Sequence, residues 1–80
     1  MRITVRLFAR LREELGADRL ELTFEQDPTL ADVLDRVLGD RRPRGMLIAI
    51  NNELLRGRDP RMVRLKDGDV VDLMPPASGG

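Results

Sequence analysis

Residues 28–39, Pro28-Thr29-Leu30-Ala31-Asp32-Val33-Leu34-Asp35-Arg36-Val37-Leu38-Gly39, decide the fold. Leu30, Val33, Leu34, Val37 and Leu38 recur at the spacing of one helical face, so the segment reads as an amphipathic helix with a single apolar stripe. Thr29 is placed to cap its N-terminus, and Asp32 stands where the partner of a capping box belongs. Gly39 is a good C-terminal cap, which gives a helix of about ten residues. A single stripe of this kind needs one apolar surface to cover.

The flanking sequence supplies that surface. Arg2–Phe8 alternates with period two, with Ile3, Val5 and Leu7 on one face and Thr4, Arg6 and Phe8 on the other. After a short helical turn, Leu11–Leu15, closed by Gly16, the segment Arg19–Phe24 alternates again. The link between these strands is too short for a crossover helix, so they pair antiparallel. Beyond the helix, Met46–Ile50 and Glu53–Leu55 flank the turn signal Asn51-Asn52, and Val70–Met74 follows the turn Lys66–Asp69. The order is strand, strand, helix, strand, short strand, strand. One mixed sheet of four to five strands on one main helix is an α+β solution. With the first and last strands parallel at its centre it becomes a β-grasp, the ubiquitin-like arrangement. A ferredoxin-like fold needs a second long helix, and residues 56–65 hold Gly57 and Pro60.

Composition narrows function. Eighty residues make one domain with one small core. Two Phe and no Trp or Tyr make that core aliphatic. The 14 basic and 14 acidic residues cancel, which argues against a general binder of nucleic acid or anionic membrane. A local cluster, Arg36, Arg41, Arg42 and Arg44, reads as a solvated helix end and loop. The absence of Cys and His removes thiol chemistry, Cys-linked metal sites and the commonest general base, so no metal and no bound cofactor are expected. No apolar run reaches the roughly 20 residues that span a bilayer, and residues 1–8 lack a signal-peptide core, so a cytoplasmic location is expected.

The sequence ends Met74-Pro75-Pro76-Ala77-Ser78-Gly79-Gly80. The division expected is a domain over 1–74 and a flexible Gly-Gly tail over 75–80. Two prolines cannot donate ladder hydrogen bonds, so the sheet ends there and the chain leaves extended. Gly79 has no Cβ and would pass through a channel too narrow for a side chain. Such an arm can deliver the Gly80 carboxylate into another protein. A carboxylate is a poor acyl donor and must be activated, normally as an acyl-adenylate. This chain has no phosphate-binding loop and no nucleophile–base pair, so its tail is read as a substrate of other enzymes.

These features resemble the MoaD/ThiS-type sulfur-carrier family of ubiquitin-like proteins, above all its molybdopterin synthase small-subunit branch. The resemblance spans the chain. It is carried by Val5–Glu13, by Ile48–Asn51, by Leu65–Val71 and, most specifically, by Pro75–Gly80. It implies that an E1-like enzyme adenylates Gly80 using ATP and that a sulfurtransferase supplies sulfur to make a thiocarboxylate. The loaded tail would then enter a molybdopterin synthase large subunit and donate sulfur to a pterin precursor of the molybdenum cofactor. Gly80 would carry the sulfur and Gly79 would give clearance. Any catalytic base would belong to the large subunit, leaving this chain as a non-catalytic, sulfur-donating subunit.

Strand alternation adds a docking surface. Phe8, Leu47, Ala49 and Met74 fall on the outer sheet face and would form an apolar patch beside the tail residues Pro75, Pro76, Ala77 and Ser78. Other roles fit the same features. In the first alternative the sulfur acceptor is a thiazole, a tRNA thiouridine or an activated amino acid. In the second the tail conjugates to protein lysines. In the third the sheet face serves alone as a noncovalent interaction module.

Overall fold

The computed structural model describes residues 1–76. Ala77, Ser78, Gly79 and Gly80 lie outside the described residues, and with them most of the expected tail. Five strands form one mixed sheet: β1 (Arg2–Leu7), β2 (Arg19–Thr23), β3 (Leu47–Ile50), β4 (Glu53–Leu54) and β5 (Val70–Met74). Their spatial order is β2-β1-β5-β3-β4. β1 pairs antiparallel with β2 and parallel with β5, and β3 pairs antiparallel with both β4 and β5. This is the β-grasp, with the first and last strands side by side at the centre.

The helix α2 (Leu30–Val37) covers one face of the sheet. Its start is a full capping box. The Thr29 hydroxyl accepts from the Asp32 amide at 3.2 Å, and the Asp32 carboxylate accepts from the Thr29 amide at 2.9 Å. It ends sooner than the apolar stripe suggests. Leu38 closes it, and Gly39, at φ 57°, turns the chain into a 3-10 turn over Gly39–Arg41. Leu38 remains buried in the core, and its amide still donates to the Leu34 carbonyl at 2.8 Å.

The core joins Ile3, Val5 and Leu7 of β1 and Val71 and Leu73 of β5 to Leu30, Val33 and Leu34 of α2. Burying each aliphatic side chain contributes about 1.5–3 kcal/mol. A short helix, α1 (Arg10–Leu15), adds Leu11 and ends at Gly16 in the left-handed region.

Residues 56–65 read as irregular, yet they supply two core side chains, Val63 and Leu65. A 3-10 turn, Pro60–Met62, leads into them. The Leu30 amide donates to the Val63 carbonyl at 2.8 Å and the Leu65 amide to the Pro28 carbonyl at 2.9 Å. The segment thus straps the start of α2 to the domain.

The Asn51-Asn52 turn takes the form its residues demand. Both have positive φ, 51° and 70°, as a two-residue hairpin turn matched to strand twist requires. The turn is also latched to β5: the Val70 amide donates to Asn51 Oδ1 at 2.9 Å and Asn51 Nδ2 donates to Asp69 Oδ1 at 3.0 Å.

Two outcomes follow. Leu34→Ala removes a fully buried side chain from the helix–sheet interface. It should cost about 2–5 kcal/mol in urea unfolding, against about 0.5–2 kcal/mol for the cap variant Thr29→Ala.

The second concerns pH. A hydrogen bond from the Thr4 hydroxyl, helped by Arg19, holds the Glu21 carboxyl below its ordinary 4.5, and Arg61 holds Asp59 below its ordinary 3.8. Both contributions are complete above those ordinary values and are lost as pH falls through the lowered folded-state values. Thermal stability should therefore decline once pH drops below about 4.5, and less steeply in Thr4→Val.

Candidate functional site

The parallel register of β1 and β5 sets where the chain leaves the sheet. Leu7 faces Leu73, and the Phe8 amide donates to the Leu73 carbonyl at 3.2 Å. Leu47 faces Met74 on the other side. Phe8, Met74 and Leu47 therefore meet where β5 ends and Pro75-Pro76 begins. Phe8 is 38% exposed and Leu47 46% exposed, while Met74 is half-buried between them.

Ala49 departs from the expected patch. It lies on the outer face, but only 7% of it is accessible. It sits between Asp72 and Leu54, its register neighbours, so it spaces the strands and offers almost no surface. Leu54, opposite it and 40% exposed, takes that place. Counting back across a two-residue turn from the Ile50–Glu53 pair predicts this contact.

Behind the patch lies a groove of about 670 Å³. Phe8, Leu11 and Met74 line it together with Arg41, Pro43, Pro75 and Pro76. Arg10 and Glu14 also line it. Gly45, at φ 71°, lies beside Pro76: a Cβ built there would stand at ordinary contact distance, 3.5 Å, from the proline Cβ. The Arg- and Pro-rich loop is thus the shoulder against which the tail base rests. At Ala9, between Phe8 and α1, φ is 52° and ψ −125°, a region that costs a residue with a Cβ strain.

On the outer face lies one polar device that the strand pattern does not reveal. Arg6 forks onto Asp72 across the central strand pair, with Nη2 at 2.7 Å from Oδ2, and also donates to Asn52 Oδ1 at 3.2 Å. Asp72 is 6% accessible, the buried charged residue among the described ones. The hydrogen bond and the charge of Asp72 raise the Arg6 pKa further above its already high value. The Arg6 guanidinium also lies 6.0 Å from the Phe8 ring centre, at the reach of a cation–π contact. Phe8 and Asp72 are thereby held by the same side chain.

The basic cluster is partly consumed by the fold. Arg36 donates to the Thr23 carbonyl at 2.7 Å and stacks 4.0 Å from the Phe24 ring centre, while Arg42 pairs with Asp35 at 3.4 Å. Among the described residues no group of carboxylates could hold a metal ion. No described helix is long and apolar enough to cross a membrane.

Removing Arg6 alone leaves a buried carboxylate without its partner. Arg6→Ala should therefore lower the urea midpoint more than Arg6→Ala/Asp72→Ala does, a non-additivity that a double-mutant cycle measures directly.

Comparison with known proteins places this site in context. The ThiS family model matches residues 5–80. The molybdopterin synthase sulfur carrier subunit of Chlamydomonas reinhardtii is 32% identical, over the full length of both chains. Small archaeal modifier protein 3 of Haloferax volcanii is also 32% identical, again over the full length of both. Among solved structures, SAMP1 from Haloferax volcanii superposes with a TM-score of 0.80 at 25% identity, covering both chains entirely. A protein–protein complex of subunits 1 and 2 of the molybdopterin-converting factor from Helicobacter pylori contains a chain that superposes at 0.63, with 27% identity and full coverage of both.

Proposed function

Because this chain belongs to the ThiS family of ubiquitin-like proteins, we propose that it is a sulfur carrier acting as the small subunit of a molybdopterin synthase. The observation that carries the reading is the junction at Met74. There an exposed apolar patch, a groove and two prolines converge on the point where the chain departs for Gly80. A surface that must seat in a partner and a tail that must enter it belong together.

In this reading the Gly80 carboxylate attacks the α-phosphorus of ATP on an E1-like enzyme, pyrophosphate leaves, and an acyl-adenylate forms. Sulfide-level sulfur supplied by a sulfurtransferase then attacks the acyl carbon, AMP leaves with the C–O electron pair, and a thiocarboxylate remains. The carrier then docks through Phe8, Leu47, Leu54 and Met74 on a large subunit. Pro75 and Pro76 hold the tail away from the sheet, Ala77 and Ser78 extend it, and Gly79 lets it thread. The thiocarboxylate sulfur passes to a pterin precursor. The chain's own part is to bind, aim and present. Support comes from the relative named as a sulfur carrier subunit and from the related complex of two converting-factor subunits.

The relative named as a modifier favours a second reading. The same activated Gly80 would then pass to an amine and form an amide.

Intact mass of the protein from its own cells tests the first reading. A gain equal to replacing one oxygen by sulfur, localised to Gly80, is expected. Deleting Gly79 and Gly80 should abolish sulfur transfer while leaving the thermal midpoint unchanged, because neither glycine has a side chain to contribute to the core. Leu47→Asp should weaken partner binding at least tenfold with the tail intact. A truncated chain that still supports sulfur transfer would sink the carrier reading.

A further inference from the structure

Amines attack activated acyl groups, and this chain offers two of them. The α-amine of Met1 donates to the Phe24 carbonyl at 2.9 Å and is partly buried at the end of the β1–β2 pair. The other amine is Lys66. The remaining 13 of the 14 basic residues are arginines, whose guanidinium stays protonated and makes a poor acyl acceptor. There is no Cys and no His to compete.

Lys66 is exposed on a fixed turn. The Asp69 amide donates to the Lys66 carbonyl at 3.0 Å, and the Gly68 amide donates to the Arg2 carbonyl at 2.8 Å. The neighbouring carboxylates are committed elsewhere. Asp67 accepts from the Arg2 amide at 2.7 Å. Asp69 accepts from the Lys66 amide at 2.7 Å and from Asn51 Nδ2 at 3.0 Å. The salt bridges among the described residues all use arginine, so the Lys66 ammonium is in none of them.

The turn also sits at the far end of β5 from the tail. Val70 to Pro76 spans about 20 Å at strand rise. The four residues from Ala77 to Gly80 reach at most about 14 Å. Acylation within one chain would need that segment drawn straight back along β5. Acylation between copies meets no such limit.

We propose that Lys66 is the site at which this chain is acylated by the activated Gly80 carboxyl of a second copy. The proposal rests on the reading that Gly80 becomes an acyl-adenylate. Lys66 Nζ attacks the Gly80 carbonyl carbon and a C–N bond forms. The C–O bond to AMP breaks, AMP leaves with its electron pair, and the Nζ proton passes to solvent. No oxidant or reductant is involved. The acceptor's own tail junction, at the other end of β5, stays open. The arginine-for-lysine bias confines the linkage to one position.

The test uses the full chain carrying Gly80 as a thioester of a small alkyl thiol, mixed with unactivated full chain. A covalent dimer is expected whose tryptic digest holds residues 67–80 of one copy branched from Lys66 of the other. Lys66→Arg in the acceptor should reduce the dimer at least tenfold. A link at Met1, an unchanged yield in Lys66→Arg, or no dimer while the same thioester acylates a free lysine peptide would each overturn the proposal.

Protein drawn from its own cells under denaturing conditions separates the two readings. The branched peptide is expected there too. Sulfur at Gly80 with no branch overturns the Lys66 proposal and leaves the carrier function standing. Absence of both removes the activation on which each depends.

Discussion

The parallel pairing of β1 with β5 is the constraint on which the rest of the structure depends. Strands at opposite ends of the sequence lie side by side, with Val5 facing Val71 and Leu7 facing Leu73. A parallel pair cannot be closed by a hairpin, so the chain between them must cross over, and α2 makes that crossing over one face. The register decides two more things. It stacks Ile3, Val5, Leu7, Val71 and Leu73 beneath the helix. It also brings Phe8 level with the end of β5, so the tail departs beside an aromatic ring. A slip of one residue would turn both sets over.

Arg6 and Asp72 act on that same pairing from the outer face. They face each other in register and close a fork across the two central strands. The Asp72 end of the pair is buried while the Arg6 side chain stays partly exposed, so solvent screening and the desolvation of Asp72 together offset much of the attraction. Its use is selective. A slipped register would bury the Asp72 carboxylate without its guanidinium, so the pair penalises the wrong alignment more than it rewards the right one. Asn52 joins the same guanidinium and ties the β3–β4 turn into the arrangement.

What the sequence made legible follows from how local each signal is. The helix could be read because its period, cap and stop all lie within residues 28–39. The Asn51-Asn52 turn could be read because only residues that tolerate positive φ suit it. Val63 and Leu65 could not be read as core, since their segment has no long period and its partners, Leu30 and Pro28, lie more than thirty positions away. Ala49 could be assigned a face by alternation, but not an exposure, which depends on the size of its neighbours across two strands. The Arg6–Asp72 pair needed the β1–β5 register itself. The site was thus half legible: Phe8, Leu47 and Met74 follow from alternation, while the groove depends on where the Arg41–Gly45 loop comes to rest.

The chemistry of the chain is concentrated by subtraction. In the proposed carrier reading, a chain that presents an activated terminus gains from offering it few nucleophiles of its own. Cys, His and nearly all lysines are absent, the Met1 amine is tied to Phe24, and positive charge is carried by arginine, which keeps solubility without nucleophilicity. A rigid sheet aims the strand, two prolines end it, and small residues follow. In the proposed reading, reactivity lies at Gly80 and selectivity in the partner that closes over the patch.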